Sequence, residues 1–443
     1  MRTIVIGGGA VGLSVAESLS SRGCEVTVFE RDQCGAAASA GNAGWITPSL
    51  SIPVPGPGVI ADSLRWLVNP SGPLWIRPTL SPAMLAWVAR FIAHCARSTY
   101  QSGLASLQRA AAQAGPAFDR LAARGVEFEL HDDPLLYPAF DHQELEHLWR
   151  VADELRKAGA REPMERLLAD ELIGLEPALH ESVVGGMIAR GERRVRPELL
   201  TAGLRRALRS RGVELLERSP VTGLVRERTQ WVIESSSATR RGDALVIANG
   251  VASAPLLARL GLRLPVVAAK GYSRTYPRDA SAPRRPLYLE APKVAVSVFD
   301  GGVRISGTLE LGARTLALSP RRLAAITAAA RRAMPRWQMS AQPHDWAGMR
   351  PLSPDGLPYI GALPGLDRTF LATGHATLGI TLAPLTGELL AKSLVDRATC
   401  ELLGAFDPAR VLRPQARRPH EPIRPIPRAP AGKKPKATTG GLR

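Results

Sequence analysis

The chain is poor in cysteine, in lysine, in aromatics and in long apolar runs, and each scarcity narrows what it can be. Its 443 residues hold four cysteines, Cys24, Cys34, Cys95 and Cys400. None forms a CxxC pair, which speaks against a zinc site or a disulfide scaffold and fits a reducing compartment. No uninterrupted apolar run reaches the roughly 18 residues that a membrane-spanning helix needs. Met1 leads almost directly into the strand-like "TIVIGGG", with no room for a signal peptide. The expectation is a cytoplasmic protein. Lysine supplies seven of the 57 basic residues, so the net charge of +17 is mostly arginine, a bias that genome composition produces by itself. Specific nucleic-acid binding is therefore not expected.

About half of the charge excess lies in 411–443, where nine Lys/Arg accompany one Glu and seven prolines remove any periodicity. That composition predicts a disordered tail. It suits contact with anionic lipid, as in peripheral attachment to the inner face of the cell membrane, or with another polyanion. The plainer reading of such a composition is a solvated extension. The rest is ordinary for a globular protein, with 45% apolar and 22% charged residues and length enough for two domains.

The first thirty residues read strand, turn, helix, strand: "RTIVIG", "AVGLSVAESLSSRG" and "EVTVFE". Between the first two, Gly7, Gly9 and Gly12 fall in GxGxxG spacing. Gly7 permits the tight turn, Gly9 lets the backbone approach a pyrophosphate, and Gly12 lets the helix pack on the sheet. Glu30 closes the second strand, placed for ribose hydroxyls, and disfavours a 2′-phosphate. This is a dinucleotide fingerprint in its proper context. It does not by itself distinguish NAD from FAD.

From about Ser51 to Glu192 the chain turns Pro-rich and then helical, with "PAMLAWVARFIAHCARS" and "LASLQRAAAQAGPAFDRLAARG" as the clearest helices. Nucleotide-type signals resume after Pro197 and again near the end. Strand candidates fill about 264–318, and "PRRLAAITAAARRAM" reads as a helix. The interleaving predicts an α/β two-domain chain. A Rossmann-like dinucleotide-binding domain takes 1–50, 195–262 and 340–400; a substrate domain of mixed or antiparallel sheet with helices takes 51–194 and 263–339.

"SAGNAGWITPS" after the second strand is too small and Gly/Ala-rich to bury a face as a helix or strand. With Gly7–Glu30, "LVIANG", "LPVVAAKGYS", "GMRPLSPDGLPYIG" and "ATGHATLGITLAPLTGELLA", it resembles the FAD-dependent amino acid oxidase/dehydrogenase superfamily, most nearly its bacterial D-amino acid dehydrogenases. The matches run in the family's order to about Val395. The resemblance implies FAD, with its adenine half on Gly7, Gly9, Ala10, Val11 and Gly12, on Glu30 and Arg31, and against Val221 and Gly250. The flavin would lie against Ser39, Gly41, Asn42, Ala43 and Gly44 on one side. Gly374, His375, Thr377, Gly379, Ile380 and Thr381 would flank it on the other, before a helix from about Ile380. No cysteine falls in these motifs and Asn42 stands where a tethering His could, so the FAD is expected to be non-covalent.

The activity implied is oxidative deamination of a D-amino acid, of which D-proline and D-hydroxyproline are examples, with quinone or oxygen as electron acceptor. A glycine/sarcosine-type amine oxidase is the alternative within the superfamily. A non-catalytic flavoprotein with a polyanion-binding tail is the alternative outside it. Arg350 in "AGMRPLSP" is the candidate for the substrate carboxylate, because a guanidinium fork binds it in a bidentate way; a structural pairing with Asp355 is the other reading of it. Lys270 and Tyr272 in "KGYS" are further candidates. No metal site is expected, and oligomeric state is not readable.

Overall fold

Arg2–Ile6 (β1) is buried from Thr3 onward, as an apolar run does when both faces of a parallel sheet are covered. It is followed by helix α1, Ala10–Ser20, and strand β2, Glu25–Phe29. The computed structural model describes residues 1–60, 72–76, 81–161, 164–398 and 400–412. The tail expected to be disordered lies outside these from 413 on. Among the described residues no helix is long and apolar enough to cross a membrane.

β1 sits inside a six-stranded sheet in the order Glu214–Leu216, β2, β1, Ala244–Ile247, Thr369–Thr373, Tyr359–Ala362. All neighbours are parallel except the last pair. Helix α1 is held between this sheet and the helix Ala383–Val395. There a Cβ on Gly387 would lie 2.4 Å from the Ser14 carbonyl oxygen, so the glycine sets the crossing distance. Glu17 of α1 is fully buried, yet it stays ionised. Burial raises its pKa, but hydrogen bonds from Arg124 and Arg211 at 2.8 and 2.9 Å outweigh that and lower it.

A second, nine-stranded sheet runs His344–Leu352, Val267–Pro277, Gly302–Leu311, Val294–Phe299, Leu287–Leu289, Leu135–Ala139, Gly185–Ala189, Glu165–Leu167, with Leu74–Ile76 alongside Gly302–Leu311. It is antiparallel apart from two parallel pairs. Helix Pro320–Ala333 packs its Leu323, Ile326 and Ala330 on one face of it. The opposite face carries Ser273, Ser297 and Arg304, which bond the carbonyls of residues 41–43. Strand His344–Leu352, expected in the dinucleotide unit, pairs instead with Val267–Pro277 in this sheet. The helical insert also differs from expectation: "LASLQRAAAQAGPAFDRLAARG" is split into Arg97–Ala111 and Ala114–Ala123.

Candidate active site

The Gly-rich turn is built as its spacing requires. Gly7 has φ +113°, and a Cβ on Gly12 would lie 1.9 Å from the Gly7 carbonyl oxygen. Ser39 reaches back 29 residues to accept from the Ala10 N–H at 2.9 Å. The N–H groups of Val11 and Gly12, in the first helical turn, have no intrahelical partner by geometry and favour an anion. The Glu30 carboxylate lies at the same turn, accepting from Gly8 N at 2.7 Å and Asp32 N at 2.9 Å. Arg31 points outward and pairs with Asp32 at 3.0 Å. Val221 opens its strand half-buried, two residues after Ser219, whose N–H bonds the Glu30 carbonyl. Gly250 has φ +58° and accepts from Thr373.

The segment 41–45 is held by its carbonyls. Gly41 O accepts from Ser273 at 2.6 Å, Asn42 O from Arg304 at 2.7 Å, and Ala43 O from Ser297 at 2.7 Å. Gly44 O accepts from Val195 N, and Trp45 O from Thr381 at 2.8 Å. Five consecutive carbonyls are thereby fixed. The N–H groups of Gly41, Asn42 and Ala43 meet no acceptor among the described residues. The Asn42 side chain turns inward, accepting from Gly44 N at 2.7 Å. Small residues are obligatory here: a Cβ on Gly41 would lie 2.2 Å from the Trp346 ring, and one on Gly44 2.0 Å from Val195 O. Ordered amide donors on a flat, small-residue surface fit a flavin and its pyrophosphate.

Arg304 was missed by motif reading, although its position gave a signal. It is a guanidinium between Val303 and Ile305 in the strand segment "VRISGTLEL", and such a group is rarely buried without a task. It is 3% exposed and is shared between Asn42 O, Thr275 Oγ1 and Glu198. Ser273 and Ser297 lie on the same sheet face, through the pairings Thr275↔Arg304 and Ser297↔Arg304.

The second expected loop follows strand Thr369–Thr373. Gly374 and Ala376 both have positive φ, and His375 bridges to Leu352. The helix starts at Ala383, later than expected, because Thr377, Gly379, Ile380 and Thr381 form successive turns ahead of Pro384, which occupies the helix's first turn. His375 is buried, and its Nε2 lies 3.1 Å from Thr386 Oγ1 in that turn. Burial pushes its pKa down to about 4, so it is neutral at ordinary pH.

Arg350 lies on the sheet face that looks to segment 41–45. A Cβ on the cross-strand Gly271 would fall 2.1 Å from its Nη1, so the guanidinium rests on bare backbone. Its hydrogen bond is to Thr308 O at 3.3 Å, and burial lowers its pKa to about 10. It does not pair with Asp355, which takes Arg410 at 2.8 Å. Two residues along, beyond Gly348, the Trp346 ring spans Gly348 and Gly41. Nearby, Trp45, Tyr288 and Tyr137 make successive edge-to-face contacts at 5.9 and 5.8 Å. Burial pushes the Tyr288 hydroxyl well above the ordinary tyrosine pKa, so it stays neutral.

Lys270 and Tyr272 are not brought to this face. Strand alternation sends them to the side covered by helix Pro320–Ala333, where Tyr272 packs in that core and gives its hydroxyl to Glu310 at 2.7 Å. Lys270 Nζ bonds the Ala317 carbonyl and lies over the Tyr272 ring.

Residues 2–393 match the FAD dependent oxidoreductase family, and the chain belongs to it. It is 34% identical over 414 residues to a D-amino acid dehydrogenase of Xylella fastidiosa (strain M12), covering 91% of this chain and 93% of that one. With a D-amino acid dehydrogenase of Vibrio vulnificus (strain CMCP6) it shares 32% over 400 residues, 88% and 95% of the two chains. Among solved structures it resembles glycine oxidase from Geobacillus kaustophilus, with a TM-score of 0.73, 26% identity and coverage of 92% and 98%. L-proline dehydrogenase from P. horikoshii shares the fold, with a TM-score of 0.71 at 18% identity over 92% and 97%.

Proposed function

We propose that this FAD-dependent oxidoreductase oxidises a D-amino acid at Cα, leaving an imino acid that water converts to a 2-oxo acid and ammonia. The observation that carries the reading is Arg350, a buried guanidinium with no carboxylate partner among the described residues, beside the amide-lined segment 41–45. The names of relatives 32–34% identical over about nine-tenths of the chain support the D-amino acid side of it.

Bound FAD, held without a covalent link, supplies the two-electron acceptor for the Cα hydride. The chain's own residues hold and orient. The fork of Arg350 fixes a carboxylate in plane, which sets where Cα lies. The N–H groups of Gly41, Asn42 and Ala43 and the first turn of helix Ala383–Val395 would hold the cofactor's acceptor atoms and would supply positive potential to them. Trp45, Tyr137 and Tyr288 keep water from the carboxylate, which strengthens its attraction to Arg350. His375, neutral, orders the loop through Thr386 and holds no proton for the reaction.

D-Proline and D-hydroxyproline fall within this class. A glycine/sarcosine-type amine oxidase is the second reading, favoured by the likeness to glycine oxidase. A panel of D-, L- and N-methyl amino acids, assayed for 2-oxo acid and ammonia with a quinone analogue or with oxygen, tests both. Turnover of D-amino acids with dye or quinone supports the first reading. Turnover confined to glycine and N-methylglycine with oxygen uptake replaces it with the second.

A further inference from the structure

Along the strand Gly302–Leu311 alternate residues meet different parts of the site. Arg304 grips the Asn42 carbonyl, and Thr308 offers its own carbonyl to Arg350. Between and beside these contacts, the hydroxyls of Ser306 and Thr308 are buried with no hydrogen-bond partner among the described residues. Ser306 is 5% and Thr308 7% exposed, so water does not serve them from bulk. A buried hydroxyl without a partner destabilises a fold, and native proteins keep few of them. Thr308 carries a second cost: its φ is +60°, a region that β-branched side chains adopt rarely. The pairing with Val267–Pro277 shifts register here, between Lys270 and Tyr272. Strain of this kind persists where the surrounding structure imposes it, and it clusters where ligands bind.

We propose that Thr308 and Ser306 complete the substrate head-group site, the Thr308 hydroxyl donating to the carboxylate held by Arg350 and the Ser306 hydroxyl accepting from the substrate amine. The inference rests on the reading of Arg350 as the carboxylate-binding cation. A carboxylate offers about four lone-pair sites, and a guanidinium fork uses two of them. One more donor beside the fork is what Thr308 supplies. An α-amine N–H needs an acceptor next to it, and Ser306 lies one step further along the same strand face, opposite Ser273 and Ala295. The ligand class this selects is a compound with a free carboxylate and at least one N–H on the adjacent carbon. Simple amines and N,N-dialkylated amino acids lose one contact or the other.

The test uses the full-chain, FAD-loaded protein with Thr308→Val, Thr308→Ser and Ser306→Ala. Thr308→Val removes the hydroxyl at constant shape. KM for a D-amino acid that the wild type oxidises should rise about tenfold or more, with kcat changing less. The thermal midpoint of the substrate-free holoprotein should stay level or rise, because a partnerless buried hydroxyl has gone. Thr308→Ser should restore KM, and Ser306→Ala should raise it while leaving the midpoint level. A lowered midpoint with KM within twofold of wild type assigns the hydroxyls to packing and overturns the proposal, and Ser306→Ala alone decides it should Thr308→Val fail to fold. The parent reading fails separately: if no amino acid reduces the wild-type flavin, both fall, whereas a wild type that is reduced beside indifferent variants sinks the hydroxyl assignment only.

Discussion

Replacing Arg350 by Leu should divorce stability from activity. Burial lowers the guanidinium's pKa from its ordinary value to about 10, a cost of about 3 kcal/mol for keeping it charged. Its one hydrogen bond among the described residues, to Thr308 O at 3.3 Å, is long and returns little of that. Leucine removes the charge and fills much of the same apolar space, so the substrate-free protein should be as stable as wild type or more so. Substrate is another matter. Deleting one partner of a buried, hydrogen-bonded ion pair costs about 2–5 kcal/mol, which is a loss of roughly thirtyfold to a few thousandfold in kcat/KM. Arg350→Lys keeps the charge and loses the fork, and should fall between. Steady-state kinetics over a wide substrate range, beside a thermal melt and the visible flavin spectrum, measure all three quantities. Unchanged KM in Arg350→Leu refutes the carboxylate role, and a large fall in the melting midpoint refutes the claim that the cation is a cost to the fold.

Two further outcomes follow from the same geometry. Arg304→Gln removes the clamp on Asn42 O while leaving Glu198, 38% exposed, able to meet water; FAD titrated into the apoprotein should bind about ten- to a hundredfold more weakly, and an unchanged dissociation constant removes Arg304 from cofactor positioning. His375 has its pKa pushed below the ordinary histidine value to about 4, so the unfolded state takes up a proton first as pH falls. Stability should be lost progressively from about pH 6.5 towards 4, by about 3 kcal/mol in all. In His375→Gln that slope should flatten, and a wild-type melting midpoint level across the same window contradicts the buried neutral histidine.

The dinucleotide half of the fold was legible because its signals are local. Gly12 packs on the Gly7 carbonyl five residues before it, and β1, α1 and β2 follow one another without interruption, whereas the contacts of Gly7 with the Ala248 backbone and of Gly9 with Ser39 are long-range. The second sheet was legible as strands but not as a partner of particular segments. Nothing in "HDWAGMRPL" says that it pairs with "VAAKGYSRTYP", and that pairing moved His344–Leu352 out of the first unit. The same limit misdirected Lys270 and Tyr272. Proximity to a matched motif suggested them, while strand alternation gave Gly271 and Ser273 to the site face instead. Ser273, Ser297 and Arg304 reach segment 41–45 across 232 to 262 residues of chain, a distance at which no spacing argument works.

The account stands most directly on which compound reduces the bound flavin. Mixing the purified, FAD-loaded protein anaerobically with the two enantiomers of one amino acid, proline for instance, and following the loss of visible flavin absorbance, reads that without any assumption about the acceptor. The account predicts bleaching by D-amino acids, with little by their L-enantiomers and none in simple amines that lack the carboxylate. Bleaching by L- but not D-amino acids, or a flavin that stays yellow with every D-amino acid offered, contradicts it.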